Sequence, residues 1–293
     1  MNSPLTGITK TTLLKKISKE LLIEKYQKNF NLNISHLLNQ VETVQLYKCN
    51  DTGYRFFYPF SLTGDGKFYE HLQKLDWYYM PWKWEHEQAA KYIQKGMEVL
   101  EVGCGKGGFL EEINKRYKID SVGLELNDLA VKEMKEKGLN VYSTTIQEYS
   151  NDNPEHYDIV CSFQVLEHIA DVKSFLESQI KSLKIGGKLI VSVPNNDGFL
   201  GDDENLLNMP PHHMGLWNEK SLLNMGELFS LKHIATHFEP LQLYHQEYYD
   251  RVKKKKLSSF GRFFSILNRF LPLEKSFLPK NYSSFTIQVV WEK

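Results

Sequence analysis

The segment Val99-Leu-Glu-Val-Gly-Cys-Gly-Lys-Gly-Gly108 holds the first residues of this chain whose types and spacing suggest chemistry. Gly103 and Gly105 allow a sharp bend and let backbone approach a ligand with no Cβ in the way. A helix beginning just beyond would direct free N–H groups at a carboxylate or phosphate. Gly103, Gly105 and Gly108 also satisfy the pattern G-x-G-x-x-G, so the loop by itself fits a dinucleotide as well as an adenosyl compound. Glu125, twenty positions after Gly105, could accept both hydroxyls of a ribose. A third group lies farther on: Pro210-Pro211-His212-His213, with Trp217 close behind, is a stiff segment carrying two imidazoles that titrate near neutral pH. With His168, these are the candidates for taking a proton from an acceptor, in the order His213, His212, His168.

Groups so far apart in sequence need a scaffold that gathers them. From Glu98 the chain alternates strand and helix: strand 98–102, helix 107–118, strand 121–126, helix 129–137 closed by Gly138, and strand 140–144. Strand 158–162 and helix 171–184 follow, and Gly186-Gly187 turns the chain into strand 188–193. Strict alternation with short apolar strands predicts an α/β fold, a doubly wound parallel sheet covered on both faces. Ligands of such sheets bind beyond the carboxyl ends of the strands, where the glycine bend and Glu125 both fall. Ahead of this domain, Leu13, Leu14, Ile17, Leu21 and Leu22 recur at helical spacing and predict an amphipathic helix. Asn50-Asp51-Thr52-Gly53 between two alternating runs predicts a hairpin. Trp77, Tyr78, Tyr79, Trp82 and Trp84 form an aromatic stretch expected to pack between domains or to wall a ligand. The division is therefore residues 1–84 as an accessory region and 85–293 as the main domain, with an insertion at about 245–282.

Four motifs in order make the pattern specific. They are Glu101-Val-Gly103-Cys104-Gly105-x-Gly107; Glu125; Tyr157-Asp-Ile-Val160 with Gln164-Val-Leu-Glu167-His168-Ile169; and Leu183-Lys-Ile-Gly186-Gly187 running to Val193-Pro194-Asn195. Together they resemble the class I S-adenosylmethionine (SAM)-dependent methyltransferases, above all the ubiquinone-type O-methyltransferases and bacterial methyltransferases of glycan and lipid biosynthesis. The resemblance covers roughly residues 84–293, and 285–291 is similar to that fold's last, antiparallel strand in a Rossmann-like sheet of seven. It implies SAM as cofactor. Glu101 and the backbone of Gly103, Cys104 and Gly105 would face its methionine part, Glu125 with the adjoining Leu126 the ribose, and Ile146 and Gln147 the adenine. Phe163 and Gln164 would border the sulfonium. Relatives of the ubiquinone type can hold Mg²⁺ with an acidic residue three places before the Glu-His pair. Gln164 stands there instead, a neutral ligand where a hard cation prefers carboxylate, so no catalytic metal is expected.

Composition narrows the partners. Lys plus Arg equals Asp plus Glu, 36 against 36 in 293 residues, which argues against a general nucleic-acid binder. The resemblance implies a small molecule or glycan as acceptor. Cys49, Cys104 and Cys161 have no metal-clip or disulfide spacing, and Thr52 stands where a Cys-x-x-Cys knuckle would need its second cysteine. Residues 1–12 lack an apolar signal core, so a soluble, cytoplasmic protein is expected. Arg251, Lys253–Lys256 and the apolar stripe from Phe260 to Leu271 have the make-up of a helix that could touch a membrane surface. Two other readings stay open at this level: an NAD-dependent oxidoreductase using the same glycine bend, and a SAM-binding partner subunit without turnover.

Overall fold

The computed structural model describes residues 1–8, 10–72, 80–198, 205–241 and 284–293, with 243, 247 and 250. It opens with a small antiparallel sheet in which β1 (Thr11–Ser18) pairs with β2 (Thr43–Cys49), and β2 with β3 (Arg55–Tyr58). The expected helix over 13–22 is therefore corrected. Thr11–Ser18 is a strand whose register runs from Thr11↔Cys49 to Ser18↔Thr43, and Leu13 and Leu14 are exposed. Helix α1 (Lys19–Phe30) begins only after Ser18, whose hydroxyl accepts from the N–H of Leu21. A partner strand satisfies this segment's backbone along its length, and that tertiary pairing outweighs the leucine spacing. The hairpin expected at Asn50–Gly53 is present, closed by Gly53 N–H to Cys49 O at 2.8 Å and Cys49 N–H to Tyr54 O at 2.7 Å.

After α2 (Gly66–Leu72), the main domain starts with α3 (Trp84–Ala90). The alternating units are β4 (Val99–Val102), α4 (Gly108–Tyr117), β5 (Val122–Leu124), α5 (Asp128–Glu136), β6 (Asn140–Tyr142) and α6 (Ile146–Asp152). They continue through β7 (Tyr157–Phe163), α7 (Val172–Ser182), β8 (Leu183–Pro194), the two-residue β9 (Gly215–Leu216), α8 (Glu219–Leu228), β10 (Lys232–Phe238) and β11 (Thr286–Glu292). The large sheet has seven strands in the order β10-β11-β8-β7-β4-β5-β6, with β11 antiparallel to both neighbours. All four residues of β4 are buried, as are Ile159 to Phe163 of β7, because helices cover both faces. Order reverses beside β4, so the carboxyl ends of β4, β5 and β7 open one crevice.

Short β9 joins the two parts. It pairs with β3 through Phe56↔Gly215, completing a four-stranded small sheet with a strand from the main domain. Tyr26 of α1 donates to Leu206 O at 2.8 Å and Met209 O at 3.2 Å, and Leu206, Met214 and Leu216 share one apolar cluster with Leu22, Tyr26 and Phe68. The N-terminal region thus packs on the loop that carries His212 and His213. Of the aromatic stretch, Trp82 stacks on Phe109 with centroids 5.9 Å apart and Trp84 is buried, while Trp77, Tyr78 and Tyr79 lie outside the described residues. The insertion and its basic apolar stripe, 251–271, also lie outside them.

Packing of α8 on the last strand leaves no room at Gly226, where a Cβ would collide with the indole of Trp291. Gly226→Ala should therefore destabilise the protein by about 1–3 kcal/mol despite alanine's better helix propensity. A thermal melt would show a midpoint lower by roughly 2–4 °C for each kcal/mol lost. An unchanged midpoint would mean that α8 rides farther from the sheet.

Candidate functional site

β4 ends at Val102 and the chain turns at Gly103, whose φ of 78° only glycine adopts freely. A Cβ there would also lie 2.5 Å from Val165 Cγ2. Gly103 and Cys104 donate their N–H groups to Leu124 O at 2.8 and 3.0 Å, which fastens the bend to β5. Glu125 sits directly beside it: Oε2 accepts from Gly105 N–H at 2.9 Å, and Oε1 from the N–H groups of Leu126 and Asn127 at 2.8 and 2.9 Å. The glycine bend and the carboxylate that sequence set twenty residues apart are thus in contact. Glu101 is buried one turn behind them with Oε2 unpartnered, and burial together with the Glu125 charge holds its carboxyl well above its ordinary range. Such a carboxyl would ionise once the cationic ammonium or sulfonium of a ligand came against it.

Another wall of the cavity is built by α6, a helix that the sequence reading did not assign. Thr145-x-x-Glu148 is its signal: Thr145 Oγ1 accepts from Glu148 N–H at 3.2 Å, and Thr145 N–H donates back to the Glu148 carboxylate at 3.3 Å. That cap presents Ile146 and Gln147 to the cavity. Phe163 and Gln164 line it from the end of β7, where Gln164 holds a φ of 56°, unusual away from glycine and frequent at functional sites. Cys104 lies in the bend, but its thiol points away, toward Met134 at 3.8 Å, so this residue offers backbone alone.

One cavity of about 1,100 Å³ runs from Gly103, Gly105, Glu125 and Leu126 past Phe163 to His168, His212 and His213. All three histidines therefore meet the cofactor side in a single space. His168 Nδ1 is 2.6 Å from His212 O and His212 Nδ1 is 2.9 Å from Leu207 O. Burial lowers the pKa of His168 to about 4 and of His212 to about 3, and holds His213 well below its usual value, so all are neutral imidazoles at pH 7. Met214 N–H donates to Glu167 O at 2.8 Å, tying this loop to the Glu167–His168 turn. Trp217, close behind in sequence, has a packing part. It stacks on Tyr54 at 4.1 Å and fixes Asn196 rather than lining the cavity.

Sequence reasoning missed several lining residues: Tyr69, Lys83, Glu85, Asn208 and Glu239. Glu85 could have been found, since it falls among Trp84, His86 and Ala89 on the buried side of α3, where a charge needs a reason. Its backbone oxygen accepts from Gln288 Nε2 at 2.8 Å, anchoring α3 to β11. Glu239, next to β10, carries no local signal at all.

Glu167 supplies a prediction about pH. Burial pushes its carboxyl up to about 8 from the usual 4.5. The folded chain therefore holds this proton more tightly than the unfolded one, a contribution to stability present in full below pH 4.5 and lost as pH rises toward 8. The buried histidines act oppositely, their contribution fading as pH falls below 6.5. Glu167→Gln should accordingly flatten the stability profile between about pH 6.5 and 8, where the histidines no longer add a slope, relative to the wild type. Urea midpoints at three pH values test this, and parallel profiles would refute it.

The geometry can be set beside known proteins. The profile of the methyltransferase domain family matches residues 77–244, more than half of the chain. The ubiquinone biosynthesis O-methyltransferase of Aliivibrio fischeri is 36% identical over 108 residues, which are 35% of this chain and 46% of that protein. Its Klebsiella pneumoniae counterpart is 30% identical over 166 residues, 50% of this chain and 67% of that one. The chain thus spans about half the length of some curated relatives and two thirds of others. A SAM-dependent methyltransferase from Archaeoglobus fulgidus superposes with a TM-score of 0.51 at 20% identity, covering 71% of this chain and 90% of that one, a likeness of fold. With the seven-stranded order, the glycine bend against Glu125 and the family profile all in agreement, the chain belongs to the class I SAM-dependent methyltransferases, whose cofactor is SAM.

Proposed function

We propose that this protein transfers the methyl group of SAM to a hydroxyl of a small-molecule or glycan acceptor, which includes a lipid-linked intermediate. The observation that carries the reading is the single cavity joining the expected cofactor residues to three imidazoles, His212 and His213 buried and His168 half-buried. With SAM against Gly103 and Glu125, its sulfonium end would point past Phe163 and Gln164 toward those rings. The acceptor oxygen would then attack the methyl carbon in line. An O–C bond forms as the C–S bond breaks, S-adenosylhomocysteine (SAH) departs, and the hydroxyl proton passes to a histidine, with His213 first, then His212 and His168. The relatives, as ubiquinone biosynthesis O-methyltransferases, support oxygen as the nucleophile.

Calorimetry with SAM, SAH and NAD, followed by transfer of a labelled methyl group to a panel of hydroxylated acceptors, tests the proposal. Binding of SAM and SAH at micromolar levels with none of NAD is expected. Binding of NAD alone would return the oxidoreductase reading, and SAM binding without transfer to any acceptor would favour a non-catalytic subunit. Among the described residues no helix is long and apolar enough to cross a membrane. Contact of 251–271 with an anionic surface rests on sequence, and co-sedimentation with anionic vesicles at low salt checks it.

A further inference from the structure

His168, His212 and His213 come together in a way that proton transfer alone does not require. One ring nitrogen from each lies within 4.8 Å of the other two. The His212 and His213 rings stack with centroids 4.4 Å apart, and His168 stands edge-on to both at 4.8 Å. Backbone carbonyls face Nδ1 of His168 and of His212, and a carbonyl can only accept, so in the neutral rings those nitrogens carry the hydrogen and Nε2 keeps a lone pair. Nδ1 of buried His213 has no hydrogen-bond partner. A neutral imidazole anchored by its second nitrogen to a carbonyl is the form in which histidine ligates a metal, and the carbonyl is its usual supporting partner.

We propose that His168, His212 and His213 form a three-nitrogen site for a divalent transition metal of the Zn²⁺ type, with a fourth position open to the acceptor side of the cavity. Tetrahedral Zn–N bonds of about 2.0–2.1 Å place ligand nitrogens roughly 3.4 Å apart. The present spread is up to 4.8 Å, so metal uptake would draw the three rings closer together. Imidazole nitrogen selects Zn²⁺, Co²⁺ or Ni²⁺ over Mg²⁺. The site is thus distinct from an oxygen-ligated one, which would need a carboxylate where Gln164 stands, and it explains how a chain lacking that carboxylate could still use a metal. An acceptor hydroxyl in the fourth position would lose its proton to cavity water at lower pH and attack the methyl carbon as the bound oxyanion. That role rests on the methyl transfer proposed above and would put the metal in place of a histidine base; the coordination itself does not rest on it.

The test uses full-length protein stripped with a chelator and titrated with Co²⁺, read by its visible d–d bands and by calorimetry. One Co²⁺ per chain with the intense bands of a four-coordinate ion, displaced by Zn²⁺ but not by Mg²⁺, is expected. His212→Ala and His213→Ala should each weaken uptake at least tenfold while SAH affinity and the melting midpoint hold. His213→Gln serves if an alanine variant misfolds, and His233→Ala, on exposed β10, should bind as the wild type does. Absence of uptake at 100 µM Co²⁺ by protein that still binds SAH overturns the proposal, as does uptake indifferent to both alanine variants. Loss of turnover in the histidine variants without any metal uptake would leave the imidazole-base reading standing and remove this one. Failure of SAM to bind would remove the proposed function and leave the Co²⁺ readout intact.

Discussion

Glu125→Ala is expected to weaken SAH binding by about a hundredfold, close to 2.7 kcal/mol at the usual 1.36 kcal/mol per decade. A carboxylate accepting both ribose hydroxyls makes two charge-assisted hydrogen bonds, each contributing about 1.5–3 kcal/mol. The same substitution strips the acceptor from Gly105 N–H in the glycine bend and from the N–H groups of Leu126 and Asn127. The bend then loses a fastening that sets its shape before ligand arrives, so part of the loss comes from disorder in the free protein. Glu125→Gln keeps an acceptor oxygen without the charge and should fall between the two. Calorimetry with SAH measures all three proteins. If the alanine variant binds within threefold of the wild type while remaining folded, Glu125 does not hold the ribose.

The second large effect concerns turnover rather than binding. His213→Ala should lower kcat by about 10²- to 10⁴-fold with SAH affinity unchanged, the range for removal of a positioned proton acceptor. His212→Ala and His168→Ala should follow with smaller losses, since both rings are engaged with backbone carbonyls. The pH profile adds a sign. Only the neutral imidazole accepts a proton, and burial lowers His168 to about 4 and His212 to about 3, so the acid limb should lie below pH 5 rather than near 6.5. Near-normal turnover in all three variants, with SAM binding intact, would remove histidine from the mechanism. An acid limb at pH 6.5 would mean that the rings are better solvated than their burial indicates.

Much of the main domain was readable because its signals are local. The β4 to β8 strands are short apolar runs, their helices keep a one-sided apolar stripe, and glycines mark the joints. Binding residues at strand ends were readable for the same reason, as topology sends every such end to one edge. The N-terminal strand Thr11–Ser18 was not. Its leucines fit a helix, and only the pairing with Thr43–Cys49 reveals the strand. Nor was the environment of Trp217, whose ring packs on Tyr54, more than 160 residues earlier in the chain.

Residue order alone determined that a glycine bend follows the first strand of the parallel sheet, that an acidic side chain ends its neighbour, and hence where an adenosyl compound or a dinucleotide would sit. Those statements depend on backbone conformations that glycine permits and on a two-element repeat, both written within a few residues. Tertiary structure decided what faces that ligand. Tyr26 bonded to Leu206 and Met209, β9 paired with β3, and Met214 tied to Glu167 together turn His212 and His213 inward against His168. Burial then keeps all three rings neutral. Desolvation and contact between residues forty or more positions apart have no local signature, because they arise only when separate elements exclude water from the same space.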